Sequence, residues 1–390
     1  MPDKTSAQPL AGLVVVELGT SVAGPTCAMI LAELGAQAFK VENPRGGDDA
    51  RHWGPPFVGS DGALFVAVNR NKQSIAVDLK DAQQRESLRR FILDHADIVV
   101  QNLRAGVVES FGLDGTTLTR AKPSLIYGNL SAFGVKGPRA SKPGYDPLMQ
   151  AFGGLMSVTG HDGDEPVRVA PAIIDQGSAL WMTIGILGAL HRRAATGEGS
   201  VIDGSLYETA LFWMGMHTGQ YHASGNKVPK RIGTENGSVA PYKAFEASDA
   251  WLVIAAGNDN LFARLAKALK HPEWIDDPAF RTNGDRVTNR ERINALIADA
   301  VKVKPRDHWL ALLDEVGVPC SPILNLDEVI ANPQCQALGM LQQPPDGGIA
   351  LMGVPLSFDG ERPPFRNSAP PLGNATELVL GAAAKQKAAP

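Results

Sequence analysis

The sequence predicts an α/β protein with two domains, the larger of them built on a doubly wound, mostly parallel sheet. Three observations point to this class. Short apolar runs alternate with helix-like patterns over the first half of the chain, which is typical of repeated βα units. The first such run leads into a loop rich in Gly, Ser and Thr and then into a helix. Beyond about residue 240 the pattern changes to a hairpin followed by helices, and 390 residues suffice for two domains.

The opening βαβ unit is the clearest local signal. Residues 13–18 (LVVVEL) form a nearly unbroken apolar run that fits a buried strand. Pro25 suits the first turn of a helix over 26–34, and Gly35 is expected to end that helix. Residues 38–42 (AFKVE) then supply a second strand.

The same alternation continues to about residue 223. Strands are predicted over 74–79, 96–101, 125–130 and 200–204. Helices are predicted over 82–95, from Pro147, over 176–196 and after residue 204. The helix over 176–196 is mostly apolar, so it should be central. Parallel strands joined by helices carry helices on both faces of the sheet.

A smaller α+β domain is predicted over residues 226–330, and the large domain comprises residues 1–225 plus 331–390. The polar stretch 225–240, which contains several glycines, marks the first boundary. Alternating residues predict a hairpin of strands 242–245 and 250–255, and helices should follow over 259–269, 289–301 and 305–315.

Composition argues against several classes of partner. A net charge of −4 predicts no nucleic-acid partner. Three widely spaced cysteines (Cys27, Cys320 and Cys335) favour a reducing compartment over a disulfide framework or a zinc site. The N-terminus lacks a signal-peptide pattern, and the longest apolar stretch, 179–190, is too short to cross a bilayer. We therefore expect a cytoplasmic protein with no membrane partner and no metal.

Few short motifs carry chemistry here. Residues 19–24 (GTSVAG) lie between a strand and a helix, where backbone amides can bind phosphate. The loop is not G-x-G-x-x-G, so together with Glu42 it makes a nicotinamide oxidoreductase only an alternative. No H-E-x-x-H and no G-x-S-x-G occurs, which argues against a zinc protease or that class of serine hydrolase.

Two aspartates stand at predicted helix starts, and each admits two interpretations. Asp146 precedes Pro147 and Asp175 opens the long apolar helix, so either could be a simple N-cap. Asp175 also fits a nucleophile. The helix N-terminus should keep it ionised at neutral pH, the following Gln-Gly-Ser leaves room for a substrate, and an ionised carboxylate can attack an activated carbonyl to give an anhydride.

At this point the sequence resembles the class III CoA-transferases, typified by formyl-CoA transferase and carnitine CoA-transferase. The resemblance spans nearly the whole chain and rests on patches that occur in order: residues 13–25, 34–36 with 40–42, 69–75 with 78–79, 96–102, 144–146, 174–175 with 185–190, and 317–322. It implies an enzyme that moves CoA between carboxylic acids, a doubly wound fold, and an interlocked homodimer with the active site at the domain and subunit interface.

The resemblance also assigns roles to individual residues. Asp175 matches the acyl-accepting aspartate, with possible support from Tyr145, Asp146 and Gly237. The positions matching CoA-binding segments are Val22, Ala23, Val77, Asp78, Leu79, Lys80, Asn102, Leu103, Arg104 and Lys142. No cofactor is implied beyond CoA itself as substrate. Backbone amides near Gly177 and in the loop 233–238 are our candidates for oxyanion stabilisation.

Two departures from the family pattern qualify this interpretation, and two alternatives stand beside the nicotinamide oxidoreductase. Ser110 stands where many members carry a CoA-contacting arginine, and the loop 233–238 has fewer glycines than the lid of formyl-CoA transferase. An α-methylacyl-CoA racemase of the same fold would carry a histidine where Tyr145 stands, and tyrosine is a poorer base at neutral pH. A non-catalytic acyl-CoA-binding homologue is the remaining alternative. Residues 238–242, 257–258 and 276–286 resemble the succinate–hydroxymethylglutarate branch, which favours succinyl-CoA as donor.

Overall fold

The computed structural model describes residues 8–381, and these form two compact units. Unit 1 holds the described residues within Met1–Leu155, Arg168–Gly219 and Pro333–Pro390. Unit 2 holds Met156–Val167 and Gln220–Asn332. The units differ from the predicted domain ranges chiefly in the segment Met156–Val167, which clusters with unit 2 although it precedes the predicted boundary by more than fifty residues.

Unit 1 contains a six-stranded sheet whose strands are all parallel. The strands are β1 (Val14–Leu18), β2 (Gln37–Glu42), β3 (Lys72–Ala76), β4 (Ile98–Gln101), β5 (Ile126–Ser131) and β6 (Ser200–Ser205). Their spatial order is β3-β2-β1-β4-β5-β6. The order reverses between β1 and β4, so the predicted doubly wound sheet is confirmed, and ligands of such sheets bind at this reversal.

The helices that matter for the site are α1 (Ala23–Glu33), α2 (Ala82–His95), α3 (Asp146–Phe152), α4 (Ile173–Thr196) and α5 (Leu206–Trp213). Shorter helices and strand pairs complete the described part of unit 1: Ala63–Val68, Val107–Ser110, Gly115–Ala121, Pro333–Ala337, Glu377–Leu380, Phe57–Val58 with Asp61–Gly62, and Leu341–Gln342 with Leu351–Met352. Two further helices, Leu155–Val158 and Gly215–Ala223, run from unit 1 into unit 2. A 3-10 turn covers Asp49–His52.

Helices cover both faces of the sheet. Since successive side chains of a strand point to opposite faces, one strand contributes to the cores on both sides. Val15 of β1 packs in a core with α1 and α4, which contribute residues such as Leu31 and Ile186. Val16, the next residue, packs in a second core with Leu88 of α2. The nearly unbroken apolar run of β1 thus reflects a strand buried on both sides.

The long helix α4 differs from its prediction in start and in burial. It begins at Ile173, about one turn before the predicted residue 176, and runs to Thr196. It has 24 residues and a mean hydropathy of 1.4 over an 18-residue window, which would suffice to cross a bilayer, a property that core helices of soluble proteins share. The prediction of a central helix was only half right, since one face is buried while Leu180, Trp181 and Ile184 are exposed.

Unit 2 has a three-stranded antiparallel sheet, β7 (Tyr242–Glu246), β8 (Trp251–Ala255) and β9 (Cys320–Pro322), in the order β9-β8-β7. Its main helices are α6 (Asp259–Ala268), α7 (Arg290–Val301) and α8 (Arg306–Glu315). Two short helical segments, Pro272–Ile275 and Asn283–Thr288, lie between α6 and α7, and Leu326–Ala331 follows β9. They enclose a separate apolar core. The predicted hairpin and the three helices are confirmed to within two residues, and β9 was not predicted.

Candidate active site

Two adjoining cavities open at the carboxyl ends of the parallel strands of unit 1. Their volumes are about 260 Å³ and 290 Å³. Both are lined by Thr20, Leu103 and Val107, so they form one groove that crosses the reversal between β1 and β4. A groove in this place is the expected ligand site of a doubly wound sheet.

The first cavity, which we call the apolar cavity, is lined mainly by Leu18, Val41, Val77, Leu79 and Phe111. The predicted CoA-binding residues Asp78 and Lys80 also line it. An apolar floor with charged groups at the rim suits a flat heterocycle attached to phosphates.

The second cavity, which we call the carboxylate cavity, contains the predicted nucleophile. Its lining includes most of the remaining predicted site residues: Val22, Ala23, Asn102, Leu103, Arg104, Lys142, Tyr145 and Asp175. Two predicted residues lie elsewhere. Asp146 is buried behind the wall, with 3% of its surface exposed, and Gly237 belongs to unit 2.

Three side chains from different segments hold the loop between β1 and α1, which lines both cavities. Asn102 accepts a hydrogen bond from the Thr20 amide at 2.9 Å and donates one to the Thr20 carbonyl at 3.0 Å. Asp48 accepts from the amide of Ser21, which adopts a positive φ of 68°. Lys40 donates to the carbonyl of Gly19 at 2.9 Å. The side chain of Asn102 is therefore bonded to protein backbone, which makes it a positioning residue for the groove.

Beneath this loop lies a buried network in which three carboxylates match three cations: Glu17, Glu42, Asp48, Lys40, Arg51 and Lys72. Lys40 bridges Glu17 at 2.7 Å and Asp48 at 2.8 Å. Burial by itself would raise the pKa of Asp48, but the charge of Lys40 and its hydrogen bond hold that pKa below its usual range. Burial lowers the pKa of Lys72 to about 8, against the opposing effect of Glu17.

Sequence reasoning missed this network as a functional feature, although a signal was present. Glu17 and Lys40 each interrupt an apolar strand, at facing positions of β1 and β2. A charged residue inside a fully buried strand needs a partner of opposite charge, so the paired interruptions predict an ion pair at the strand ends.

Both aspartates are placed differently from the simple capping interpretation. Asp146 is the first residue of α3 and does not cap that helix. Asp175 is the third residue of α4, whose N-cap position is held by Ala172, a residue without a capping side chain. Instead, Oδ2 of Asp146 accepts hydrogen bonds from the amides of Ile174 (2.7 Å) and Asp175 (3.2 Å). Asp146 therefore caps the helix that carries Asp175.

The expectation that the helix N-terminus keeps Asp175 fully ionised was wrong. Burial, together with the negative charge of Asp146, raises the pKa of Asp175 to about 7. The favourable helix dipole is weaker than these two effects combined. Within residues 8–381 the Asp175 carboxylate accepts no hydrogen bond and has no cationic partner. It lines the carboxylate cavity as an unsatisfied, half-buried acid.

Neither of the two segments expected to supply oxyanion donors has the expected free backbone amides at the carboxylate cavity. Gly177 is the fifth residue of α4, past the four amides that lack an intrahelical acceptor, so its amide is not free. The loop 233–238 is fixed within unit 2. Glu235 pairs with Lys243 at 3.1 Å and with Arg290 at 3.2 Å, and Arg290 also donates to the carbonyl of Gly237 at 2.8 Å.

The first turn of α1 offers a further set of donors. The amides of its first residues have no intrahelical acceptor, and no side chain within residues 8–381 caps this helix. Val22 and Ala23 line the carboxylate cavity, so the positive end of the helix dipole faces the same space as Asp175.

The region around Ser110 shows what could replace the arginine that the resemblance leads one to expect. Ser110 is exposed and donates to the carbonyl of Val107 at 2.7 Å. Next to it, the guanidinium of Arg85 lies 5.6 Å from the ring centroid of Phe111 and donates to the carbonyl of Leu79. Phe111 and Leu79 both line the apolar cavity, so Arg85 brings a positive charge to its edge.

Comparison with known proteins shows the family of this chain. The model of CoA-transferase family III matches residues 10–376. A human protein named succinyl-CoA:glutarate CoA-transferase is 34% identical over 97% of this chain and 86% of its own length. An Acetobacter aceti protein named acetyl-CoA:oxalate CoA-transferase is 36% identical over 95% of this chain and 96% of its own.

A solved structure gives the same result at the level of the fold. The crystal structure of a CAIB/BAIF family protein from Brucella suis has a TM-score of 0.85 and 38% sequence identity to this chain. The match covers 98% of this chain and 100% of the other.

Proposed function

Because the chain belongs to CoA-transferase family III, and is thus an enzyme that moves CoA from an acyl-CoA to a carboxylic acid, we propose that Asp175 carries the acyl group during the transfer. The observation that supports this role most strongly is the state of its carboxylate. It lines the strand-end groove without any hydrogen-bond donor or cation of its own within residues 8–381. A carboxylate in a partly desolvated site, free of partners, is a competent nucleophile.

The proposed reaction proceeds through an anhydride and an enzyme thioester. An Asp175 oxygen attacks the thioester carbonyl, the C–S bond breaks, and CoA leaves as thiolate while a mixed anhydride forms. The thiolate then attacks the aspartyl carbonyl, which releases the donor acid and leaves Asp175 as a CoA thioester. The acceptor carboxylate attacks this thioester, giving a second anhydride and thiolate. Attack of the thiolate on the acceptor carbonyl forms the new acyl-CoA and regenerates Asp175.

In this proposal the acyl-CoA donor occupies both cavities. The adenine end occupies the apolar cavity, and the pantetheine passes Thr20, Leu103 and Val107 to bring the thioester to Asp175. Lys80, Arg104 and Lys142 line these cavities and are proposed to pair with CoA phosphates. The first amides of α1 are proposed as anion donors in place of Gly177, and Tyr145 remains a proposed support at the reacting end.

Dicarboxylic acids are the proposed substrates, with succinyl-CoA as donor. The resemblance of several segments of unit 2 to a dicarboxylate branch supports this, as do relatives whose names include succinyl-CoA, glutarate and oxalate. Gly237 is proposed to support the reaction through the backbone of its loop.

We also propose that the enzyme is a cytoplasmic homodimer with interlocked chains. Its three cysteines are unpaired, which suits a reducing compartment. A band of exposed apolar side chains runs across α4, α5 and the helix that begins at Gly215. Within it, the rings of Trp181 and Phe212 pack edge to face, with their centroids 4.6 Å apart. Contiguous apolar surface of this kind is usually covered by a partner, and size-exclusion chromatography with light scattering would test it.

Mass-spectrometric detection of CoA exchange tests the nucleophile. Succinyl-CoA is supplied with acetate, oxalate, glutarate and other mono- and dicarboxylates, using the wild type, Asp175→Ala and the control Asp307→Asn, whose side chain is 85% exposed. We expect exchange in the wild type and the control, none above background in Asp175→Ala, and the fastest exchange with a dicarboxylate. Exchange that survives in Asp175→Ala would refute the proposed role.

The alternatives predict no CoA exchange in this experiment, and each predicts a signal in an assay of its own. A racemase would instead exchange the α-proton of a 2-methylacyl-CoA in deuterated water. A non-catalytic homologue would bind CoA without turning over any acid, and an oxidoreductase would bind NADH. None of these outcomes is expected.

A further inference from the structure

We propose that Asp146 is a positioning residue for the nucleophile, which fixes the first turn of α4 from outside that helix and whose negative charge sets the pH range in which Asp175 attacks. This inference rests on the proposed function of Asp175 and extends it to a residue that touches neither substrate nor the reacting oxygen.

The hydrogen bonds around the start of α4 carry the structural half of the proposal. The amides of Ile174 and Asp175 both donate to Oδ2 of Asp146, and the amide of Gln176 donates to the carbonyl of Ala172. The N-cap residue itself offers no side-chain acceptor. Asp146 is thus the one side chain in the described part of the chain that satisfies this helix end, and it does so from 28 residues away.

A second contact makes the arrangement rigid. Gln150 lies one turn further along α3, on the same face as Asp146, and donates to Oδ1 of Asp146 at 2.6 Å. Its amide also pairs with the backbone of Val169, donating to the carbonyl at 3.1 Å and accepting from the amide at 2.8 Å. Residues 169–175 are therefore held against α3 at both ends, which fixes the backbone of Asp175.

The charge of Asp146 supports the second part of the proposal, which concerns the pH range in which Asp175 attacks. Both of its oxygens accept hydrogen bonds, as in an ionised carboxylate, and its partners within residues 8–381 are neutral amides. It is 3% exposed, so water screens its charge poorly. An unneutralised negative charge beside the attacking carboxylate opposes ionisation of Asp175, and the proton is then lost near neutral pH.

The other titratable groups near Asp175 in the described part of the chain are placed differently. The helices packed on α4 carry Cys27, a buried thiol whose pKa burial raises to about 12, and Glu208, which bonds to Ser205. The remaining titratable and charged groups that line the cavity are Asp49, Arg104, Lys142 and Tyr145. Besides burial, the negative charge of Asp146 is the cause that raises the pKa of Asp175.

A raised pKa at Asp175 is useful because the carboxylate must be both nucleophilic and ionised. A more basic carboxylate attacks a thioester faster, and it must still be largely ionised at the working pH. A pKa near the working pH balances these requirements, whereas an exposed aspartate with a pKa near ~4 is always ionised but weakly nucleophilic.

The test compares two variants that disturb the same contact in different ways. Asp146→Asn removes the charge and keeps an oxygen that can accept from Ile174 and Asp175. Gln150→Ala removes the brace and keeps the charge. We expect the acidic limb of the exchange rate against pH to move down by about one pH unit or more in Asp146→Asn. In Gln150→Ala we expect a lower rate with an unmoved midpoint. Asp307→Asn is the control for loss of an exposed charge.

Each result has one meaning. A midpoint that moves in Asp146→Asn alone supports the proposal. An unmoved midpoint in Asp146→Asn, or an equal shift in Gln150→Ala, overturns it while the nucleophile assignment stands, provided that Asp175→Ala is inactive. Exchange that survives in Asp175→Ala overturns both. If Asp146→Asn folds poorly, Asp146→Ser replaces it, because a serine hydroxyl is neutral and can still accept from a helix amide. The carboxyl ¹³C resonance of Asp175, identified by its loss in Asp175→Asn, is then titrated in Asp146→Ser and wild type and gives the same midpoint without turnover. Identical midpoints in these two proteins would count against the charge.

Discussion

Asp48 and Asp175 stand on two sides of one groove and show how differently a folded chain can treat a carboxylate. Asp48 is buried but bonded to Lys40 and to backbone amides, and its pKa lies below the usual range. Asp175 is half-buried, has no donor within residues 8–381, faces a second acid, and has a pKa of about 7. Burial raises the pKa in both places, and the sign of the net shift depends on whether a cation or an anion is the neighbour.

The difference indicates a division of labour. The matched charges around Asp48 hold the loop from Gly19 to Ser21, and although Asp48 lines the apolar cavity its carboxylate is bonded to a cation. The unmatched pair of Asp146 and Asp175 leaves the Asp175 carboxylate without a partner in the lining of the cavity. Stabilising interactions are concentrated beneath the nucleotide-sized cavity, and an unfavourable one is retained where the chemistry occurs, as is common in active sites.

The largest expected effect comes from breaking the matched network. Lys40→Met leaves Glu17 and Asp48 buried without their shared cation, and it should lower the free energy of unfolding by about 3–5 kcal/mol. Chemical denaturation followed by fluorescence measures the loss. Arg45→Met is the matched control, because the Arg45 side chain is 76% exposed and its pair with Asp78 should contribute within about 1 kcal/mol. Equal losses in both variants would mean that burial of the network is energetically unimportant.

The next largest effect is expected at Asp175, where removing the charge should raise the free energy of unfolding. Below the ordinary aspartate pKa, Asp175 is protonated in both folded and unfolded chains. Between that value and about 7 the unfolded chain loses the proton first, so stability falls as pH rises, and above 7 the cost is constant. The side chain of Asp175→Asn cannot ionise. At pH 8 the variant should therefore have a free energy of unfolding about 1–3 kcal/mol larger than wild type and a higher unfolding temperature. At pH 4 we expect no gain in stability.

Asp48→Asn completes that comparison. Because its folded-state pKa is lowered, Asp48 adds stability above its unfolded pKa, and this contribution is lost as pH falls through the folded value. The variant should therefore be less stable than wild type at pH 8. Calorimetric scans of both variants at the two pH values measure the effects. If Asp175→Asn were destabilised at pH 8 as well, the two carboxylates would not differ in the way described.

How far the sequence alone predicts the molecule depends on the range of the interaction concerned. Local patterns were sufficient for α2, whose predicted bounds of 82–95 match the structure, and for the hairpin of β7 and β8. The start of α4 was missed by one turn, because its cap comes from Asp146, far away in the chain, and not from the residues before it.

The groove shows the same limit. Its lining residues follow parallel strands, and such positions meet at one edge of the sheet, so the resemblance and the strand pattern together could place Val22, Asn102 and Asp175 near one another. Neither could show that the amide of Asn102 is engaged by Thr20, or that Asp146 opposes the ionisation of Asp175. These are properties of packing between distant segments.

A smaller effect is expected from loosening the loop without touching its charges. Asn102→Ala removes both bonds to the backbone of Thr20, so we expect the KM for the acyl-CoA to rise about tenfold while kcat changes less. Steady-state kinetics separates the two constants. Asn374→Ala, which removes a bond to β3 away from both cavities, should leave the KM unchanged. A fall in kcat alone would instead place Asn102 in the chemical step.

The smallest expected effect concerns Gly237, and it tests whether the loop 233–238 belongs to the site at all. A Cβ at this position would meet only the Cδ1 of Ile232, at 3.9 Å, and the backbone needs no positive φ there, so Gly237→Val should fold normally. If the loop backbone supports the reaction, the added bulk should slow exchange severalfold with little change in Tm. Gly284→Val, in a similarly open position of unit 2, is the control. Because Arg290 and Glu235 hold the loop in place, unchanged turnover in Gly237→Val could not be explained by the loop moving aside, and it would remove Gly237 from the proposed site.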